Sequence, residues 1–245
     1  MAKTSGTKKD GLVHQTTKVP SAASDISAFL EKAKELKAQP GSGGRLIFAL
    51  DATMSRQPTW DQACHIQAEM FQEAGKIGGL KIKLVYFRGF GECKSSRWFE
   101  HGEELANAMG RIACQGGRTQ IRKVLTAALA TADKEKIAAL VYVGDCMEED
   151  VDILCDKAGE LGLRGVPMFL FQEGRDTVAE QAFREMARLT NGVYCPFDAG
   201  SAQQLAELLK AVAVFASGGH TALQALEKKG GRGARLLLEQ LKSAK

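Results

Sequence analysis

Residues 46–55 read LIFALDATMS, and this run limits the possible folds more than any other part of the chain. Its first five residues are apolar without alternation, the pattern of a strand covered on both faces, and such strands belong to parallel sheets sandwiched by helices. Periodicity by itself leaves a buried helix segment as the other reading. The apolar run ends abruptly, and Asp51, Thr53 and Ser55 then alternate along a turn. Three oxygen-bearing side chains therefore converge just past the carboxyl end of a strand, which is where open α/β sheets hold ligands.

The remaining segments repeat the theme of a short apolar run followed by a helical pattern. LKIKLVYF (80–87), IAALVYVG (137–144), VPMFLFQ (166–172) and NGVYCPF (191–197) read as strands, and Gly89 and Gly91 mark a tight reversal before a short strand at RWF (97–99). Helical spacing runs through 59–77, 105–112, 121–134, 148–162, 178–190 and 202–216. Crossovers of that length permit parallel pairing, so the expected fold is α/β, a Rossmann-like doubly wound sheet with helices on both faces. With 44% hydrophobic and 25% charged residues, a chain of 245 residues can bury the core such a sheet needs.

Taken alone, Asp-x-Thr-x-Ser is a weak signal, because acids and hydroxyls are ordinary turn and helix-capping residues. Two later segments strengthen it: Thr119 in GGRTQI, and Asp145 after the apolar run ALVYV. With these three segments the chain resembles the von Willebrand factor type A (VWA) family over about residues 45–217. That family's metal-ion-dependent adhesion site is built from an Asp-x-Ser-x-Ser loop, a later Thr and a later Asp. The resemblance implies a mostly parallel sheet with one antiparallel edge strand, in an intracellular protein of bacterial type. It also implies a site for Mg²⁺ or Mn²⁺ formed by Asp51, Thr53, Ser55, Thr119 and Asp145. In the family's arrangement Thr53 and Ser55 would touch the ion directly and Thr119 directly or through water, while Asp51 and Asp145 would hold waters. The implied function is protein binding without catalysis, the cation engaging an Asp or Glu of a partner. The chain departs from the family pattern at Thr53, which stands for a Ser, and at Gly144-Asp145-Cys146, where Thr-Asp-Gly is usual. Neither change removes an oxygen ligand.

A haloacid-dehalogenase-like Mg²⁺-dependent phosphatase is the rival reading, since it too begins with an Asp after a buried strand and could draw on Gly144-Asp145 and Glu149. Its Asp-x-Asp motif supplies a nucleophile and a general acid, and here the second acid is replaced by Thr53. A metal-free scaffold of the same fold is a third. A nucleotide-binding oxidoreductase is excluded, because no Gly-x-Gly-x-x-Gly follows the first strand. Six cysteines, Cys64, Cys93, Cys114, Cys146, Cys155 and Cys195, show no Cys-x-x-Cys pair and read as reduced, small core residues. Cys64-His65 with Glu69 reads as helix surface rather than a zinc site.

Charge divides the chain. Residues 1–45 carry eight Lys/Arg against four Asp/Glu, residues 218–245 six against two, and residues 46–217 nineteen against twenty-three. The basic ends lack interleaved aromatics and any nucleic-acid motif, so no nucleic-acid partner is expected. The expected layout is a disordered basic segment at 1–24, an amphipathic helix and Gly-rich joint at 25–44, the VWA domain at 45–217, and a basic, helical, partly flexible extension at 218–245. In the 25–44 segment, Ile26, Phe29, Leu30, Ala33 and Leu36 form an apolar stripe expected to dock on the domain. An apolar leader and any run of eighteen apolar residues are both missing, from which a cytoplasmic location is expected.

Overall fold

The computed structural model describes residues 44–57, 60, 79–197 and 202–243, all within the unit formed by residues 41–245. The 1–24 and 25–43 segments lie outside the described residues. So does the 59–77 helix apart from Trp60, and with it Cys64, His65 and Glu69.

Six strands form one sheet: β1 (Arg45–Asp51), β2 (Lys81–Arg88), β3 (Glu92–Phe99), β4 (Ala139–Gly144), β5 (Met168–Glu173) and β6 (Val193–Phe197). Their order is β3-β2-β1-β4-β5-β6, with every pair parallel except β2–β3. The α/β, doubly wound reading with one antiparallel edge strand is the fold observed. Because β1 has β2 on one side and β4 on the other, the order reverses at β1, and the crevice at the carboxyl ends of β1 and β4 is the switch point.

Six helices are described: α1 (Gly102–Met109), α2 (Ile121–Ala132), α3 (Val151–Leu163), α4 (Thr177–Leu189), α5 (Ala202–Lys228) and α6 (Arg232–Ser243). The unbroken apolar pattern of β1 now has its cause. Leu46, Phe48 and Leu50 pack in one core cluster with Leu105 of α1, Val212 of α5 and Leu237 of α6. Ile47 and Ala49 point the other way, into a second cluster with α2, α3 and α4. By the same two-residue period, Asp51 falls on the α2–α4 face. Local chemistry starts the helices that follow β4 and β5: Asp150 accepts from the Asp152 and Ile153 N–H groups, and Asp176 accepts from Ala179 N–H at 2.7 Å.

Two segments differ from the sequence reading. β3 begins at Glu92 rather than at Arg97, because the first half of this edge strand is polar on both faces and carries no apolar signature. The 218–245 segment, read as a partly flexible extension, supplies core. α5 runs on through a kink at Gly219, where φ is 66°, and α6 folds back beside it. Leu223, Ala234, Leu237 and Leu238 are buried in the cluster that holds Leu46 and Phe48. Ala234, Leu237, Leu238 and Leu241 form an i, i+3, i+4, i+7 stripe. Gly233 is needed for close approach rather than for flexibility, since a Cβ there would lie 2.3 Å from the Glu207 carbonyl oxygen of α5.

Candidate metal centre

β1 delivers Asp51 to the crevice fully buried. Its Oδ1 accepts the Thr53 N–H at 2.7 Å, which turns the chain sharply and brings the Thr53 hydroxyl to 3.1 Å from that of Ser55. Thr53 is buried and Ser55 exposed, so the pair of hydroxyls leads from the interior to the surface. A one-turn 3₁₀ helix, Met54–Arg56, follows. Leu50 is level with Val143 across the β1–β4 ladder, which puts Asp145 two positions further on, at the same mouth.

The loop that carries Thr119 is fastened to the ends of β1 and β2. Gln115 N–H donates to the Ala52 carbonyl at 3.0 Å, Arg118 N–H to Gly89 at 3.2 Å, and the Gln120 amide to the Arg88 and Gly89 carbonyls. Gly117 makes this possible: a Cβ there would sit 2.0 Å from the Gly89 carbonyl oxygen. Thr119 itself pairs with Glu148, its N–H donating to Glu148 Oε2 at 3.2 Å and its hydroxyl accepting the Glu148 N–H at 3.1 Å. Thr119 thus bridges its loop to the one after β4. The described hydrogen bonds unite Asp51, Thr53 and Ser55 directly, and bring Thr119 to the loop of Asp145 through Glu148.

Several polar atoms here are buried and lack a hydrogen-bond partner among the described residues: Asp51 Oδ2, Asp145 Oδ1 and the Tyr142 hydroxyl. Leaving such atoms unpaired costs free energy of about 1–3 kcal/mol each, more for a charge. Burial pushes the Asp51 carboxyl up to about 6, against the pull of its hydrogen bonds from Thr53; the Asp145 charge adds to the rise and Arg56 opposes it. Tyr142 has its phenol raised well above the ordinary value by burial, then by Asp51 and Asp145. Cys146 is pushed up to about 12 by burial and by Asp145, which keeps it a thiol and unsuited to act as a nucleophile.

The sequence reading missed four residues of this neighbourhood, Glu148, Tyr142, Arg56 and Glu173. Tyr142 sits level with Ala49 on the Asp51 face, and a Cβ at Gly144 would meet its hydroxyl at 2.5 Å, so Gly144 leaves room for the phenol at the strand end. A tyrosine inside ALVYV was the available signal. Arg56 is 2% exposed, forms an ion pair with Glu173 at the end of β5, and lies with its guanidinium carbon 5.9 Å from the Phe197 ring centre. Burial lowers the Arg56 pKa, while Asp145 and Asp51 raise it. A charged residue directly after a hydroxyl loop carries no sign of such burial in the sequence.

An oxygen-only donor set of two acids and three hydroxyls suits a hard cation such as Mg²⁺ or Mn²⁺. Among the described residues no three His, Cys, Asp or Glu side chains gather as a ligand group. The unpaired Asp51 Oδ2 and Asp145 Oδ1 are the atoms that fit a cation or the waters around it.

No protein-family model matches the sequence, and no curated protein matches it. Solved structures do. A von Willebrand factor type A protein from Catenulispora acidiphila superposes with a TM-score of 0.58 and 14% identity, covering 71% of this chain and 43% of its own. The fold is that of a VWA domain. The SpRpn10 VWA domain matches with a TM-score of 0.53 and 10% identity over 66% of this chain and 95% of its own. The pilus adhesin SpaC from Lactobacillus rhamnosus GG, in its open conformation, matches at 0.53 and 11% over 72% and 31%. This chain spans less than half the length of the Catenulispora protein. At these identities the likeness carries the VWA fold, and residue roles rest on the geometry above.

Proposed function

We propose that this chain is a metal-dependent protein-binding module whose site is formed by Asp51, Thr53, Ser55, Thr119 and Asp145. The observation that carries the reading is the pair of buried carboxylate oxygens, Asp51 Oδ2 and Asp145 Oδ1, which have no hydrogen-bond partner among the described residues at the switch point of the sheet. A divalent cation held there would supply a Lewis-acidic position for an Asp or Glu carboxylate of a partner protein. Thr53 and Ser55 offer it neutral oxygens, and the Asp51 bond to Thr53 N–H sets the turn that aims both hydroxyls. Glu148 holds Thr119 in place.

The surroundings support a protein ligand. Met54, Phe90, Val151, Ile153 and Val178 are exposed apolar side chains on the segments that follow β1, β2, β4 and β5, all at the carboxyl end of the parallel strands. Among the described residues, Leu163 and Leu236 are the large exposed apolar side chains that lie elsewhere, so most of this class is at the mouth of the proposed site, where a protein surface could cover it. No helix among the described residues is long and apolar enough to cross a membrane.

Proteins captured from a lysate in Mg²⁺ and in chelator test the reading, with Ser55→Ala as control. The expected result is a partner retained only in Mg²⁺, lost with Ser55→Ala, and lost again when its own Asp or Glu is changed to the amide. Identical bound sets under all conditions would remove the site from association. A generic phosphatase assay on the same samples is expected to show no turnover. One observation favours the metal-free scaffold as a second reading: the Arg56 guanidinium, buried within the field of both acids, already provides positive charge.

A further inference from the structure

Arg56 is the first residue after Ser55, and its N–H donates to the Thr53 carbonyl at 3.0 Å, so its backbone belongs to the same turn as the candidate ligands. Its side chain is almost completely buried and, unlike a lysine, cannot shed its charge there. The guanidinium pairs through Nη1 with Glu173 at the end of β5, its carbon lies 5.9 Å from the Phe197 ring centre, and Nε has no hydrogen-bond partner among the described residues. Asp51 Oδ2 and Asp145 Oδ1 likewise have no hydrogen-bond partner among the described residues. A buried cation therefore follows Asp51 and Ser55 within one turn, at the strand ends that also carry Asp145, while its ion pair is with a third carboxylate, on β5.

We propose that Arg56 is a resident counter-cation of the Asp51–Asp145 pair, drawn aside by Glu173, and that this balance sets how tightly the site takes a divalent ion. The inference rests on the metal-binding reading. Without a divalent ion, Arg56 limits the repulsion between buried Asp51 and half-buried Asp145. With one, it is a neighbouring like charge in a medium of low dielectric, and it weakens binding. Glu173 moderates both effects by holding the guanidinium toward β5. The two partners of one ion pair then have opposite effects on metal affinity, which a purely structural ion pair would not produce.

Isothermal titration of the full chain with Mn²⁺ and Mg²⁺ reads this directly. Arg56→Met is expected to tighten Mn²⁺ binding about tenfold. Glu173→Gln, which frees the guanidinium to turn toward Asp51 and Asp145, is expected to weaken it several-fold. The double variant Arg56→Met/Glu173→Gln removes both charges and leaves no unpaired member, so it guards against a misfolded single variant and is expected to bind as tightly as Arg56→Met. Equal affinities in the wild type, Arg56→Met and the double variant would overturn the role of Arg56 while leaving the metal site standing, as would weaker binding in the double variant. Failure of every protein, wild type included, to take up either ion would overturn the metal-binding reading as well.

Discussion

Two tyrosines on one face of the sheet have opposite fates. Tyr194, on β6, donates its hydroxyl to Gln172 Oε1 at 2.8 Å, and the Gln172 amide donates to the Asp176 carbonyl at 2.8 Å. Nearby Thr190 accepts the Met168 N–H at 3.1 Å and donates to Met186 at 2.8 Å. Around β5 and β6 these buried polar groups are matched. Tyr142, two strands away, is equally buried but its hydroxyl has no partner among the described residues, and the same is true of the neighbouring Asp51 Oδ2 and Asp145 Oδ1. Among the described residues the polar groups of Tyr194, Gln172 and Thr190 are paired while those of Tyr142, Asp51 and Asp145 keep an open atom, which is the contrast the proposed cation site would explain.

The largest expected effect sharpens this contrast. Mg²⁺ at about 100 times its dissociation constant adds roughly 2.7 kcal/mol to stability, a rise in melting temperature of about 5–10 °C for a chain of this size. Calorimetry with Mg²⁺ and with chelator measures it, and Asp51→Ala is expected to abolish it. Gln172→Ala, on the matched side, leaves the Tyr194 hydroxyl and Asp176 carbonyl without their partner. Its expected cost is about 1–3 kcal/mol in urea unfolding, the same in Mg²⁺ and in chelator. A cost that changed with metal would link the two regions and break the comparison.

On the open side the sign reverses. Asp51→Asn keeps the Oδ1 acceptor for Thr53 N–H but removes a buried, incompletely paired charge. In chelator it is expected to raise stability by on the order of 1 kcal/mol, and to lose the gain from Mg²⁺. Tyr142→Phe, which removes a buried hydroxyl without a partner among the described residues, is expected to raise stability by about 1 kcal/mol in chelator, whereas Tyr194→Phe costs about 1 kcal/mol. The smallest effect lies on the surface, where Arg88 and Lys94 hold the Glu92 carboxyl down to about 2. A lowered folded value means that its contribution is present above the ordinary carboxylate range and fades as pH falls from about 4.5 to about 2. Glu92→Gln should remove that small slope from the pH–stability curve.

Much of the fold was legible because unbroken apolar runs mark strands covered on both faces. Residues 46–50, 139–143 and 168–171 carry that pattern and are the central strands. The start of β3 was not, since polar residues at an edge resemble a loop. The glycines near Gly231 and Gly233 read as a flexible break, although Gly233 lets α6 approach α5. At the site, Asp51, Thr53 and Ser55 could be read from spacing along one turn. Arg56 and Glu173 could not, because their pairing comes from tertiary burial across 117 residues of sequence, and for Tyr142 the one signal was a tyrosine inside an apolar run. The expectations for residues 1–43 and 61–78 fall outside the described residues.

Direct counting of bound Mn²⁺ by equilibrium dialysis of the full chain tests the central claim, that the open polar atoms between β1 and β4 are a cation site. One ion per chain is expected for the wild type and for Gln172→Ala, and none for Asp51→Ala. Retention of the ion by Asp51→Ala, or its absence from a folded wild-type chain, would contradict the account.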